Sequence, residues 1–243
     1  MNSRQQIGMT LIELMVALAI GAFLMLGAVT VFMQSRTSFR VTESLSRLQE
    51  NARFALDSME PEIRMGHFWG LTANTTLIDG RKEPTQGAGV GLHGCGNNWF
   101  INLNQSIQGT NNTYSWGCAP TVGAAVAGSD TLVVRRASED PIAPAALTAN
   151  TTYIQSARNI GQIFVGTTIP PPPMFNPTTS ETHRLLVSGY FVSTQSSIPN
   201  MPSLRRKILQ ADGTPAEEEV LVGVEDMQKL RRNHHRQPTT RPE

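Results

Sequence analysis

Few residues in this chain could do chemistry, and the first of them is an acid in an apolar setting. In "GMTLIELMVALAIGAFLMLGAVTVFMQ", Gly8 to Gln34, Glu13 has Met9, Leu11 and Ile12 before it and an uncharged run after it. An unpaired acid costs roughly 3 kcal/mol at the centre of a membrane helix, and nearer the end it still needs a partner or a proton. No basic residue lies within a helical turn of it. A cut after Gly8 would create the missing cation, because the new ammonium group of Met9 would stand four positions before Glu13. Positions i and i+4 share a helix face, so the two charges could meet within one chain or between neighbours.

The other reactive side chains are sparse. Cys95 in "HGCGNN" and Cys118 in "SWGCAP" are the two cysteines, each in a glycine-flanked, turn-like setting. A metal site would need more ligands nearby, and a catalytic thiol would need a base, for which His93 is the close candidate. In an oxidising compartment a Cys95 to Cys118 disulfide would close about two dozen residues and add roughly 3 to 4 kcal/mol in the loop-entropy account. No nucleophile and base pair, phosphate loop or metal spacing stands out, so an enzyme is the least supported class. The expectation is no cofactor, no metal and no small-molecule substrate.

These residues need elements to hold them. From Leu14 to Met33 run twenty residues without a charge, which as a helix reach roughly 30 Å, the thickness of a hydrocarbon core. One spanning helix is expected. The eight residues before it, "MNSRQQIG", carry Arg4. A secretory signal peptide would be cut after the apolar run, yet the nearest small-residue site, Ala17 to Ala19, would leave a greasy new terminus. An ordinary signal anchor is the more serious alternative. Arg4 on one side and Arg36 and Arg40 on the other leave the topology open. Beyond Gln34, Val41, Leu45, Leu48, Ala52, Ala55 and Met59 recur at helical steps, which predicts one helix from Met9 to about Met65 with that stripe packed on its own domain. Pro61 should weaken its end and Gly66 should stop it.

With 243 residues, 40% hydrophobic and 16% charged, the chain fits one medium domain plus a membrane segment. The net charge of +1 is uneven: Lys229, Arg231, Arg232, Arg236 and Arg241 against Glu243 leave +4 in the last fifteen residues and −3 elsewhere. No nucleic-acid footprint exists outside that tail. From Gly66 to about Asp130 the Gly-, Asn- and Thr-rich sequence reads as long loops with short strands. Strands are expected in "DTLVVRR", "GQIFVG", "RLLVSGYFVS", "SLRRKILQ" and "EEEVLVGV", the last two joined by a hairpin at Asp212-Gly213. Pro170 to Pro173 reads as a stiff connector. Sequons at Asn74 and Asn150 follow from composition. The fold class is α+β, a helix laid across an antiparallel sheet.

The stretch "GMTLIELMVALAI" resembles the class III signal of type IV prepilins. That resemblance implies a membrane prepilin peptidase that cleaves between Gly8 and Met9 and N-methylates Met9, and it makes Glu13 the fifth mature residue, which neutralises the terminus of an adjacent subunit during assembly. It also implies a pilin-like fold, whose first half-helix bundles in a filament core and whose second half packs on the sheet. "NARFALDSMEPEIRMGHFWG", "GSDTLVVRRAS", "MPSLRRKIL" and "LVGVEDMQ" are similar to stretches of the PilW minor pilins of type IV pili, which themselves resemble the J-type minor pseudopilins of type II secretion. The implied role is a low-abundance structural subunit that helps prime pilus assembly in a tip complex with other minor pilins, beside the major pilin and an inner-membrane assembly platform. The implied location is the bacterial inner membrane, single-pass with a periplasmic domain, and then the pilus.

The expected division is a leader at 1–8, a membrane and filament-core helix at 9–33, its amphipathic continuation at 34–65, a periplasmic domain at 66–228 and an atypical basic tail at 229–243. The tail departs from the family pattern. "KLRRNHHRQPTTRPE" has no strand alternation and suits a shifted frame or early stop better than an acid-binding tail or a His234-His235 metal site. Missing strands there would leave an open sheet edge. Two rivals remain: a type II secretion pseudopilin with the same architecture, and a simple membrane-anchored binding domain.

Overall fold

The computed structural model describes residues 10–81, 100–171, 176 and 178–228. By its internal contacts the chain falls into two units, Met1–Phe54 and Ala55–Glu243.

The first element, α1, is a 54-residue helix, Leu11–Arg64. Leu, Met, Ala and the long charged side chains carry it, since they lose little rotamer freedom in a helix. Pro61 does not end it: the helix continues one turn further, and Met65 N–H still bonds Pro61 O at 3.1 Å. The stop is shared. Gly66 N–H turns back to Ile63 O at 3.1 Å, but the left-handed residue is His67, at φ 77°. Gly66 is needed for space, since a Cβ there would lie 2.8 Å from the Ile107 side chain. His67 is held by its ring nitrogens, 3.1 Å from Ser106 Oγ and 2.9 Å from Ala73 O.

The apolar stripe needs a correction. Val41, Leu45, Leu48 and Ala52 are exposed, and own-domain packing begins at half-buried Ala55 and reaches the core at Met59. Only the last three turns find sheet to cover them, so the amphipathic pattern upstream has no partner among the described residues.

Among the described residues eight strands form one sheet: β1 (Ile78–Asp79), β2 (Ile107–Thr110), β3 (Thr131–Ala137), β4 (Thr152–Ala157), β5 (Ile160–Val165), β6 (Glu181–Ser193), β7 (Ser203–Leu209) and β8 (Pro215–Val222). The order is β1-β5-β4-β6-β3-β2, with β7 also on β6 and β8 on β7. All pairings are antiparallel except β1 with β5. The 13-residue β6 organises this arrangement. One side of it takes β3 and then the chain just after β3, where Ser138 N–H bonds Arg184 O. Its other side is shared, β4 pairing with Glu181 to Arg184 and β7 with Ser188 to Ser193. The β7–β8 hairpin turns where Asp212-Gly213 predicts, with Gly213 at φ 78° and Asp212 Oδ1 accepting from Thr214 N–H at 2.9 Å.

Among the described residues the core has three parts. The largest gathers Trp69, Ile78, Phe100, Ile101, Leu103, Val133, Ile154, Ile163 and Val187, so the loop-rich segment before β3 supplies much of it. A second joins Met59 of α1 to Tyr190 and Leu204, and a third holds Leu147, Tyr153 and Phe164. The architecture is α+β and pilin-like, a long amino-terminal helix whose end packs on a mixed, mostly antiparallel sheet.

Candidate functional site

The amino-terminal site starts at Thr10, the residue before α1. Its Oγ1 accepts from Glu13 N–H at 3.4 Å, while Glu13 Oε2 accepts from Thr10 N–H and from Thr10 Oγ1–H, both at 3.2 Å. This is a capping box, T-x-x-E, which satisfies donors that a helix start otherwise leaves bare and adds about 1 kcal/mol in water. Bare donors cost more in lipid, where water cannot replace the cap. The negative charge also suits the positive end of the helix dipole. The sequence sets Glu13 in an apolar stretch, with Met9, Leu11 and Ile12 before it, and the structure adds a local role for its carboxylate. The acid stands in the first turn and does cap. The signal was in the sequence, as the Thr10-x-x-Glu13 spacing.

The cap does not use up the acid. Both contacts of its carboxylate go to Oε2, Glu13 is exposed, and among the described residues no cation lies within ion-pair distance of it. Oε1 remains able to accept from a further donor. Gly8 and Met9, which frame the expected cut, lie outside the described residues.

The span behind this cap is chemically quiet. Thr30 Oγ1 donates to Leu26 O and to Gly27 O (3.0 Å), and Thr37 Oγ1 donates to Met33 O at 3.0 Å, so these hydroxyls are satisfied within the helix. Among the described residues α1 is the one helix long and apolar enough to cross a membrane. A Cβ added at Gly21 or Gly27 would meet nothing, so both glycines present open backbone. Such bare positions allow close helix approach in lipid.

In the domain, Cys118 is disulfide-bonded and buried. Cys95 and His93 lie outside the described residues. The Cys118 segment is fixed by other means as well. Trp116 lies over Gly189, where a Cβ would come within 2.7 Å of the indole, and it stacks edge-on with Phe191 at 5.6 Å. Tyr114 donates its hydroxyl to Cys118 O, and burial first, then the nearby Glu217 charge, pushes its pKa up.

Beneath the segment lies a buried charge cluster that the sequence reading missed. Glu217 accepts from Arg205 Nε at 2.7 Å and from Thr121 N–H at 2.8 Å, with Lys207 Nζ at 3.3 Å. Lys207 also donates to Ala119 O at 2.6 Å, and Arg205 Nη1 reaches Glu219 at 3.3 Å. The Lys207 and Glu217 side chains are each 2% exposed. Burial works against the Glu217 carboxylate, but Thr121, Arg205 and Lys207 outweigh it and hold its pKa below the ordinary value. Two cations, two acids and backbone partners make a satisfied structural clasp. Facing "SLRRKILQ" and "EEEVLVGV" across the hairpin would have exposed this pairing. Among the described residues no group of three or more His, Cys, Asp or Glu is placed to hold a metal.

His234 and His235 lie with the whole 229–243 tail outside the described residues. Before it, β8 pairs only with β7 among the described strands, and the chain then runs to the start of β3, where Asp130 N–H bonds Met227 O at 2.8 Å.

No curated protein and no solved structure matches the chain significantly. A family model does, the prokaryotic N-terminal methylation motif, over residues 3–29. That window covers the expected cut, the capped Glu13 and most of the span. The match rests on the amino-terminal segment alone, and it shows that this segment is similar to a prokaryotic N-terminal methylation signal.

Proposed function

We propose that the chain is a minor pilin of the type IV pilus, similar to the PilW proteins, that helps prime pilus assembly in a tip complex with other minor pilins. The observation that carries this reading is the methylation motif at residues 3–29, joined to a first-turn glutamate with one carboxylate oxygen unspent. Prepilin peptidase cuts between Gly8 and Met9 and methylates Met9. The exposed ammonium then meets Glu13 Oε1, in the same chain or the next, while Oε2 keeps the cap. Residues 9–33 lie in the inner membrane and later in the filament core, 34–65 continue the helix, and 66–228 form the periplasmic domain. Cys95 is the partner of Cys118, the chain having no other cysteine.

Mass spectrometry of the membrane-extracted protein tests the reading. A chain that starts at N-methylated Met9 is expected, and one that starts at unmodified Met1 in an active assembly removes the proposal. Gly8→Asp should block processing where Gly8→Ala does not, because the glycine subsite has little room. The J-type pseudopilin reading shares the same motif. Deletion separates the two: loss of surface pili and twitching supports the pilus, and retained pili with blocked exoprotein release supports secretion.

A further inference from the structure

Arg36 and Arg40 are the first charged residues after Glu13, and both are exposed on α1. At the helical rise, Glu13 and Arg36 lie about 35 Å apart along the axis, and Arg40 lies about 6 Å further on. A bilayer has a hydrocarbon core of about 30 Å and measures about 40 to 45 Å with its headgroups. With Glu13 at one boundary, Arg36 and Arg40 therefore stand among the headgroups of the opposite leaflet.

The neighbouring polar groups are already engaged. Thr37 Oγ1 donates to Met33 O and Thr42 Oγ1 to Ser38 O, each at 3.0 Å, and Ser44 Oγ donates to Arg40 O at 2.6 Å. The next acid, Glu43, lies within one turn of Arg40, yet its carboxylate is taken by Arg47 Nη2 at 2.8 Å. Among the described residues neither Arg36 nor Arg40 has an acidic partner. Two cations one turn apart on a single face repel, and an anion between them turns that repulsion into attraction. The guanidinium fork matches phosphate oxygens in geometry as well as charge.

We propose that Arg36 and Arg40 clamp the phosphate of an acidic phospholipid in the leaflet where the span emerges. The proposal rests on the membrane-span reading of Leu14 to Met33. The clamp gives the waiting subunit a hold on its membrane that a filament must break before it can extract the helix.

The test uses the full chain in phosphatidylcholine bilayers that contain a trace of spin-labelled phosphatidylglycerol or spin-labelled phosphatidylcholine. Electron spin resonance then reads the motionally restricted lipid around the protein. The acidic lipid is expected to be preferred by about fivefold or more, from the attraction of juxtamembrane arginines to acidic lipid. The Arg36→Gln/Arg40→Gln variant should fall to near parity, while Arg64→Gln, already paired with Glu60 at the far end of α1, keeps the preference. Excess inorganic phosphate at constant ionic strength should not displace the lipid. Displacement would mean that the pair takes a free ion, and would overturn the clamp. Equal preference in the wild type and the double variant also overturns it. Absence of restricted lipid of either kind overturns the span itself, so the two failures read differently.

Discussion

The helix up to Phe54 and the domain from Ala55 are built from the same apolar residue types, but they differ in what those residues touch. Every described residue from Thr10 to Phe54 is exposed, Leu11, Phe23, Leu24 and Leu26 included, whereas Trp69, Phe100, Tyr190 and Phe191 in the domain are almost wholly buried. Hydrogen bonds follow the same division. In the helix they are local, a hydroxyl to the carbonyl one turn back, while in the domain Thr121 reaches Glu217 and His183 reaches Ser138. Burial is worth about 25 cal/mol per Å² of apolar surface, so exposed apolar side chains in such numbers require a covering from outside the chain. The domain carries its own stabilisation, and under the proposed function the helix takes its stabilisation from lipid or from other subunits.

Substitutions can break that contrast, read as denaturant unfolding of the detergent-solubilised full chain. Glu217→Ala should have the largest effect, a loss of about 3 to 5 kcal/mol, because Lys207 would stay buried without its acid and Arg205 would keep only Glu219. Met59→Ala should cost about 2 kcal/mol, the low end for a core methionine, since this side chain keeps some exposure. Gly189→Ala should cost about 1 to 3 kcal/mol by pressing a Cβ into the rigid Trp116 ring. Leu26→Ala should change domain unfolding by less than about 0.5 kcal/mol. Met59 and Leu26 share one helix, so equal effects at the two would erase the proposed boundary.

Acid sharpens the same comparison. Glu217 has a folded pKa below its unfolded value, so the stability it contributes is full above the unfolded carboxylate pKa and is lost as pH falls through the folded one. Protection of the Thr121 amide, measured by exchange and mass spectrometry against its intrinsic rate at each pH, should therefore fall below the ordinary glutamate range. Glu217→Gln should flatten that dependence, and an unchanged profile in the variant would remove Glu217 as its source.

Much of this arrangement was legible in the sequence. Steps of three and four marked α1, and the strands at Thr131, Ile160, Ser203 and Pro215 stood where β-branched and aromatic runs met turn residues. The strand β4 escaped because "TYIQSA" is buried on nearly every residue, so the alternation that betrays a half-exposed strand is absent and its Thr, Gln and Ser resemble loop. The strands β1 and β2 are too short for a pattern, and β1 exists through its parallel pairing with β5, which local sequence does not encode. At the amino terminus the Thr10-x-x-Glu13 spacing encodes the cap, but in an apolar stretch the acid reads first as an unpaired charge. The stripe from Val41 to Ala52 suggested packing on the domain because periodicity reports a face and not its partner.

The arrangement of β6 has a mechanical consequence. Because β4 and β7 share one of its sides and β3 grips the other, neither half of the sheet can detach without breaking a strand common to both. Met59 meets that strand at Tyr190, so a pull on the last turns of the helix loads many ladder bonds at once. Among the described strands, such a load enters at the one that holds both halves of the sheet together.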